Sequence, residues 1–588
     1  MTVDSGVTVT VTAAGTLSTN SSVRTFDIGS GATLTWTGQA VSDNSSSGFV
    51  KSGTGTWNIG AQANNYTGGF TLNAGTVIVS GNNSFGTAAL SINGGTIQSS
   101  GAHGFAPTAI TLGGNFTVTG TGTAGFGGTV SLGAASRTIT NSQTSGTASF
   151  SGVISGDSGS GLAHAGTGTT TLSGVNTYTG GTTLSGGTLQ LSGSGTLGAT
   201  SGTLTVSGGT LNLASTSQTV GQLTGSGGTI SNSTTSTTST LTISGSDTSA
   251  SAFSGTIANG VGTVALLRSG TGTTTLSGAN TYSGGTTISA GTLTLSGSGT
   301  LGSTSGALTV SGGTLALGGT AQTAGTVTLS GGTISGSGSL TGSSYAAQSG
   351  TVSSVLAGSG ALSKSTSGTV TLSGTNTYTG ATTVSAGTLL VNGSIATGGS
   401  VTVSGGTLGG SGTINSATTI QTGATLTPGN SPGILTFTNG LTLDSGSATT
   451  FEINGTGRGT TYDGIDVTGG TMTYGGALTF TFGSSIANGT TLDLFGLTNA
   501  AAGSFSSITG TGSYSGVFTN SSGTWTFSDG TQTLSFVQST GDLSFAASAV
   551  PEPSTYAAIF GAVALVGVAL KRRRQIAAPA ATGTPAAT

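Results

Sequence analysis

The middle of this chain has almost no acidic side chains. β proteins that cleave polysaccharides use such side chains in groups. Between residues 50 and 440 the only acids are Asp157 and Asp247. Glycoside cleavage needs two carboxylates on one face, and lyase-type sites add a base or calcium. The basic side chains of the same stretch are also few and scattered: Lys51, Arg137, Arg268 and Lys364. We therefore predict a protein that is not an enzyme and has no catalytic residue.

The sequence gives no better support for other catalytic chemistries or for cofactor binding. His103 and His164 are isolated among small residues, so we predict loop histidines. Serine is too abundant for a Ser–His–acid match to carry meaning. The chain has no cysteine, which excludes thiol catalysis and Cys-based metal sites. Its glycine strings lack a P-loop lysine and a strand–loop–helix context. We predict no cofactor and no bound metal.

A more polar cluster lies near the C-terminal end, where Asp463 and Asp466 follow Glu452, Arg458 and Tyr462. Clustered carboxylates are ligands that calcium prefers. A solvated turn in which Arg458 forms an ion pair is the alternative, and we favour it.

The elements that position these residues are set by internal repetition, which must be sought before other signals. The stretch Gly270–Gly302 agrees with Gly166–Gly198 at 28 of 33 positions. A further copy starts at Ser367 and a fainter one at Gly53, so in chain order the first to fourth copies start at Gly53, Gly166, Gly270 and Ser367. Within the copies Leu and Thr alternate, as in Thr292-Leu293-Thr294-Leu295, which is typical of a strand with one buried face.

Corners of the type Gly-Thr-Leu/Val/Ile recur every 19 to 22 residues, as at Gly187, Gly209 and Gly228. About twenty residues fit one rung of a β-solenoid, meaning one turn of the chain around its axis. We predict an all-β fold: a parallel, right-handed β-helix of about twenty rungs with a C-terminal β cap and one short C-terminal transmembrane helix. At about 4.8 Å per rung the solenoid would be roughly 90–100 Å long.

Composition agrees with a repetitive β protein and limits its partners. Of 588 residues 113 are glycine and only 4% are charged. Residues 1–550 carry six basic and twelve acidic side chains, so no basic patch supports nucleic-acid binding. The domains we predict are an N-terminal β cap (1–49), the solenoid (50–440), a C-terminal β cap rich in Phe and Asp (441–548), a sorting tail with the transmembrane segment (549–575) and a disordered end (576–588).

Three polar features of the repeat could bind something. Asn176, Asn280 and Asn376 stand two residues before the repeat tyrosines and suit Asx-turns. The tyrosines could stack on carbohydrate, but we favour buried corner packing. Threonine rows such as Thr271, Thr273 and Thr275 could present hydroxyls to ice, or they could simply suit strand surfaces.

The unit GTGTTTLSGxNTYSGGTTISAGTL resembles the autotransporter-associated β-strand repeat of bacterial passenger regions. The segment Leu426-Thr427-Pro428-Gly429-Asn430-Ser431-Pro432-Gly433 resembles the loop near the end of such passengers, and Tyr462–Val467 resembles their terminal β segment. The resemblance implies the passenger fold. No translocator barrel follows in this sequence, so self-transport is not implied.

The C-terminal end carries a second resemblance. Val550-Pro551-Glu552-Pro553-Ser554-Thr555 is followed by an apolar run from Tyr556 to Leu570 and by Lys571-Arg572-Arg573-Arg574. This order resembles a PEP-CTERM sorting signal. The apolar run would be short for a bilayer, and the basic cluster would face the cytoplasm. The resemblance implies export, transient retention in the inner membrane and processing near Pro-Glu-Pro by an exosortase-type enzyme.

The N-terminus has neither a basic nor an apolar leader region, so we expect a leader upstream of Met1. We predict an exported structural or adhesive protein of the cell surface or extracellular matrix, with extracellular polysaccharide as a possible partner. Carbohydrate binding and ice binding are the alternatives, and a polysaccharide-active enzyme is the least favoured.

Overall fold

The structure is a computed structural model that describes residues 1–12, 22–38, 48–61, 63–64, 66–246, 251–548, 562–566, 568–569 and 571–572. Almost all of the regular structure is short β-strands. They pair in parallel with strands one rung before and one rung after, until an antiparallel sheet closes the C-terminal end. The predicted parallel β-solenoid of about twenty rungs is confirmed.

Each rung has three sides, and the stacked strands form three faces. Face 1 comprises an 8-stranded and a 15-stranded sheet, and within the latter Val355–Ala357 lies off the main path and stacks on Asn376 of face 3. Its strands are Thr2–Val3, Arg24–Ile28, Phe49–Ser52, Phe70–Leu72, Leu90–Ile92, Ala109–Leu112, Thr129–Ser131, Ile154–Ser155, Gln218–Val220, Thr238–Ile243, Thr263–Arg268, Thr286–Ile288, Leu308–Val310, Gln322–Leu329, Ser339–Ala347, Val355–Ala357, Ala361–Lys364, Thr382–Val384, Val401–Val403, Thr418–Ile420, Leu441–Leu443, Met472–Tyr474 and Ala502–Gly503.

Face 2 comprises an 11-stranded and a 14-stranded sheet, joined by a parallel bridge between Gly225 and Phe253. Its strands are Thr8–Val11, Thr33–Trp36, Thr56–Asn58, Thr76–Val79, Thr96–Ser99, Phe116–Gly120, Arg137–Asn141, Leu162–Gly166, Thr182–Leu184, Thr203–Val206, Gln222–Thr224, Ser251–Phe253, Thr273–Leu276, Thr292–Leu295, Thr314–Ala316, Thr333–Ser335, Gly350–Val352, Thr369–Leu372, Thr388–Val391, Thr407–Gly410, Thr425–Pro428, Ala448–Ile453, Ala477–Phe482, Ser507–Gly512 and the antiparallel Gly516–Val517.

Face 3 comprises an 8-stranded and a 6-stranded sheet; Thr281 N–H donates to the Ile257 carbonyl at the end of the first, and Thr377 N–H donates to the Leu356 carbonyl at the start of the second. Its strands are His103–Phe105, Ala124–Phe126, Thr147–Phe150, Thr169–Leu172, Thr188–Leu191, Thr210–Asn212, Thr229–Ser231, Thr256–Ile257, Thr375–Asn376, Ser394–Ile395, Thr413–Ile414, Ile434–Phe437, Gly464–Val467 and Phe495–Leu497.

Strand alternation explains the core. In Thr292–Leu295 the two leucines are fully buried and the two threonines lie on the outer surface, because successive side chains of a strand point to opposite sides. Stacking repeats this arrangement, so the leucines, valines and isoleucines of all rungs form one continuous core.

The parallel pairing continues beyond residue 440, where the composition changes. Ala448–Ile453 pairs with Ala477–Phe482, which pairs with Ser507–Gly512. The antiparallel closure is a separate five-stranded sheet of Thr491–Asp493, Thr519–Ser521, Thr524–Ser528, Gln532–Val537 and Asp542–Ala547. Its buried aromatic rings pack on the last rungs, with Phe536 5.8 Å from Phe480. This sheet covers the end of the core, as a terminal cap must.

In the C-terminal tail, residues 562–566, 568–569 and 571–572 are helical. Within the part of the chain that the structure describes, no helix has the length and apolarity to cross a membrane. Lys571 and Arg572 are exposed on this helix. Ten predicted residues of the tail lie outside the described residues: Val550, Pro551, Glu552, Pro553, Ser554, Thr555, Tyr556, Leu570, Arg573 and Arg574.

Candidate functional site: the repeat corners and the proline-loop groove

The repeat tyrosines are buried at the corners of the rungs. Tyr178, Tyr282 and Tyr378 are at most 1% exposed. Each hydroxyl lies 2.7 Å from the hydroxyl of the threonine four residues later, namely Thr182, Thr286 and Thr382. The predicted corner packing is confirmed. The stacking alternative is wrong for these three tyrosines, because none presents a ring to solvent.

The asparagine of the same corner joins successive rungs. Asn280 Oδ1 accepts from Ile257 N–H at 2.8 Å, and Asn280 Nδ2 donates to the Thr300 carbonyl at 3.0 Å. Asn176 and Asn376 make the equivalent bonds to the rungs on either side. The predicted local Asx-turn therefore describes only part of the bonding. The main role of each asparagine side chain is to satisfy backbone groups of its two neighbouring rungs.

A basic side chain occupies one position in every repeat copy, and sequence inspection missed it. The position lies two residues before the Gly-Thr-Gly segment, which is Thr366-Ser367-Gly368 in the fourth copy, and its side chain points into the core; we call it the basic corner. It holds Lys51, His164, Arg268 and Lys364, which are 0–1% exposed. These residues are thus not scattered. His164 is not a loop residue but the centre of the strand Leu162–Gly166, and His103 begins the strand His103–Phe105.

Backbone carbonyls hold three of these cations. Lys51 Nζ donates to Ser52 at 2.6 Å, to Gly53 at 2.7 Å and to Ala74 of the next rung at 3.2 Å. Lys364 Nζ donates likewise to Thr366 and Ala386. Arg268 reaches the preceding rung, at Ile243 and Gly245.

Burial lowers the pKa of each basic-corner residue. It lowers the pKa of Lys51 to about 8 even though Asp27 opposes the shift, and it lowers the pKa of Lys364 and Arg268 as well. It lowers the pKa of His164 to about 4. Removing a charged form from water disfavours that form, so all four shifts have one cause.

A glycine recurs at one position of the rung after each basic corner, and in three of the four copies it faces the basic side chain. Gly75, Gly187, Gly291 and Gly387 all have φ between 60° and 74°. A Cβ atom at Gly75 would lie 2.7 Å from Lys51 Nζ. These are the glycines of the predicted Gly-Thr corners, and both the backbone conformation and the close carbonyls demand glycine there.

With its cations inside, the solenoid presents little charge. Among the described residues between 50 and 440, only Arg137 and Asp157 place charge at the surface. The outer surface instead carries threonines in register. One column on face 3 runs through six successive rungs: Thr147, Thr169, Thr188, Thr210, Thr229 and Thr256. The predicted threonine rows therefore exist as ordered hydroxyl columns.

A groove lies at the C-terminal end of face 2. It has a volume of about 560 Å³ and is bounded on one side by the loop that follows Thr425–Pro428. Its polar lining includes Thr427, Asn430, Thr450, Glu452 and Asn454. We call it the proline-loop groove. No lysine, arginine or histidine lines it.

Two carboxylates fix the loop of the groove. Asp463 is buried, and its two oxygens accept from Gly433 N–H at 3.0 Å and Glu452 N–H at 2.7 Å. Glu452 accepts from Ser431 Oγ and from Asn454 Nδ2, both at 2.8 Å. Burial raises the pKa of Asp463 to about 6 in spite of its backbone donors. Both acids therefore serve as hydrogen-bond acceptors that hold the loop against the neighbouring rung.

The neighbouring acid Asp466 lies elsewhere. Its Oδ1 is 2.6 Å from Arg458 Nη2, and Asp493 Oδ2 is 3.4 Å from Arg458 Nε. The favoured ion pair of Arg458 is present, but Asp463 is not part of it. In the described part of the chain, no group of three or more His, Cys, Asp or Glu side chains could hold a metal ion.

Comparison with protein families agrees with the repeat. Five segments match the model of the passenger-associated-transport-repeat: residues 49–79, 163–191, 266–295, 290–317 and 362–391. Four of them coincide with the copies predicted from the sequence, and the fifth extends the third copy. No curated protein matches the chain.

Proposed function

We propose that this protein is an exported, non-enzymatic rod of the cell surface or extracellular matrix. The observation that carries this proposal is the use of the repeat's polar residues. Its Asn, Tyr and basic side chains are buried and bond within the rod, so the repeat generates length rather than a site. The passenger-type repeats support a location outside the cell.

The C-terminal tail would sort the rod. The order of Val550–Thr555, the apolar run Tyr556–Leu570 and the basic cluster Lys571–Arg574 supports a PEP-CTERM signal with transient anchoring in the inner membrane. An exosortase-type enzyme would then cut near Pro551–Pro553. Mass spectrometry of secreted protein should find a new C-terminus near this motif. A secreted chain that still ends beyond Arg574 would contradict the sorting proposal.

A second function, adhesion to polysaccharide, is favoured by the proline-loop groove. Threonine hydroxyls and asparagine amides suit sugar hydroxyl groups, and the open shape suits an extended chain. Glu452 and Asp463 give the groove negative charge with no base beside them. The groove should therefore favour neutral sugars or sugars with a protonated amine, and it should repel acidic polysaccharides.

Binding assays test this choice of ligand. The probes are chitosan oligosaccharides, neutral dextran and polygalacturonate. We expect Glu452→Gln to weaken chitosan binding about tenfold or more, the scale of a lost charge-assisted hydrogen bond. Asp444→Asn is the matched control, because Asp444 is an acid of a neighbouring strand end outside the groove. Stronger binding of polygalacturonate, or equal effects of the two substitutions, would contradict the adhesive role.

Ice binding stays the alternative for the threonine columns. Purified rod that shows no thermal hysteresis would exclude it.

A further inference from the structure

The basic corner is filled differently in the second repeat copy. Lys51, Arg268 and Lys364 carry long side chains that reach backbone carbonyls of their own or adjacent rungs. His164 occupies the same position with a shorter, planar side chain. It is 1% exposed, and neither ring nitrogen makes a hydrogen bond of ordinary length and angle, although the backbone of Gly168 lies near enough to favour the protonated form. One of the four corners therefore holds an imidazole where the others hold a bonded cation.

Among the described residues, no acidic side chain pairs with His164, and the backbone of Gly168 favours a positive charge too weakly to offset burial. Its strand pairs with Arg137–Asn141 before it and Thr182–Leu184 after it, which place Ile139 and Leu184 beside the histidine. The inward polar neighbours are neutral: Asn141 donates to Thr169, and Tyr178 is bonded to Thr182.

The nearest groups that could carry charge do not stabilise a protonated His164 ring. Arg137 is turned to the Leu132 carbonyl, and Asp157 is exposed. Burial raises the pKa of Tyr178, so its hydroxyl stays neutral. In the described residues, neither of the two ion pairs involves His164.

We propose that the second repeat copy is an acid-sensitive segment of the rod: protonation of His164 in mildly acidic surroundings opens the rungs around this corner, while the corners of Lys51, Arg268 and Lys364 stay closed.

The direction follows from linkage. In the unfolded segment histidine titrates near 6.5, whereas burial lowers the pKa of folded His164 to about 4. Below pH 6.5 the open segment therefore binds a proton that the closed segment resists. Stability contributed by the neutral imidazole is present above pH 6.5 and is lost as the pH falls toward 4.

The solenoid makes this effect local. Each rung is stabilised by its own core and by its two neighbours, so an opening at one corner spreads only over adjacent rungs. The other corners carry cations already bonded to carbonyls, and neither Lys nor Arg changes its charge between pH 7 and pH 4. At acidic pH the rod should therefore lose stability only in the rungs around His164.

Hydrogen exchange followed by mass spectrometry tests this proposal on the full chain. Exchange rates at pH 7, 6, 5 and 4 are corrected for the pH dependence of free peptides. We expect peptides within residues 137–206 to lose protection by about 100-fold between pH 7 and pH 4, roughly a decade for each unit of pKa shift. Peptides around Arg268 and Lys364 should keep their protection.

Two variants separate titration of His164 from general acid unfolding. His164→Lys restores the residue type of two other corners, and His164→Gln removes the charge change; either should abolish the local loss. His103→Gln is the control, because His103 lies on face 3 in a half-buried position. If neither variant folds, the NMR titration of the His164 ring in the natural chain decides, with a midpoint below 5 supporting the proposal. A midpoint near 6.5, uniform loss of protection, or unchanged loss in the folded variants would overturn it.

Discussion

Replacing one glycine of the third repeat copy by alanine tests how the corners are built. Gly291 and Gly297 lie six residues apart, with φ of 62° and 56°. Their surroundings differ. A Cβ atom at Gly291 would overlap the carbonyl oxygens of Gly270 and Gly272, whereas at Gly297 it would find only Ser277, with its carbonyl oxygen at 3.9 Å. Gly297→Ala is therefore a matched control for Gly291→Ala.

The expected costs follow from these contacts. Both alanines adopt a left-handed conformation, which costs about 1–2 kcal/mol and is partly offset by the lower entropy of the unfolded chain. At Gly291 the overlap adds an overpacking cost of about 1–3 kcal/mol. The Gly272 carbonyl cannot move freely, because it accepts from Thr292 N–H at 3.0 Å. Gly291→Ala should thus destabilise its rung by about 2 kcal/mol more than Gly297→Ala.

Hydrogen exchange of peptides within residues 263–310 is the suitable assay, since a stack of rungs need not unfold in two states. An additional 2 kcal/mol corresponds to about a 30-fold faster exchange through local opening. Equal protection in the two variants would refute the inference that next-rung carbonyls demand glycine at this corner.

Further predictions concern single contacts. Tyr282→Phe removes the hydroxyl that bonds Thr286 and should lower local stability by about 1–2 kcal/mol, while Thr294→Val, at a half-buried position on the outer surface, should change exchange little. Because the folded pKa of Asp463, about 6, exceeds the ordinary value of 3.8, the loop it holds should be most stable below pH 4 and lose stability as the pH rises through 6. Asp463→Asn should abolish that pH dependence in the exchange of residues 429–433, and an unchanged profile would assign the dependence to other groups.

Much of the fold could be predicted because one signal recurs. Corner spacing of 19 to 22 residues sets the rung, and the alternation in Thr292–Leu295 sets which side chains are buried. Both signals are local, and every rung repeats them. Burial of the repeat tyrosines could also be predicted, since copies several rungs apart cannot build one binding platform.

The basic corner could not be found in this way, because its members share charge but not residue type. The signal was available: Phe49, Leu162, Leu266 and Leu362 each stand two residues before it, which gives the basic residue the same inward direction. The sequence also did not predict on which face of the solenoid each repeat copy lies. The tyrosine corner lies on face 3 in the third and fourth copies but on face 1 in the second, where Thr177 donates to Ile154. The tyrosine spacings alone do not show that two copies can be offset by part of a rung and so lie on different faces.

The proline-loop groove needed the fold as well. Glu452 and Asp463 are distant from Ser431 in sequence, and parallel stacking brings the three together. The sequence placed Asp463 with Asp466, but the ion pair of Arg458 with Asp466 leaves Asp463 free to hold the loop. The right-handed winding and the sorting role of the tail stay predictions.

Export of the rod and its sorting by the C-terminal tail are tested by fractionating cells that carry the natural chain or a deletion of Pro551–Pro553. We expect the natural chain at the cell surface or in the medium, and we expect the deletion variant to accumulate in the inner membrane. A natural chain that remains in the cytoplasm would contradict the proposed exported role.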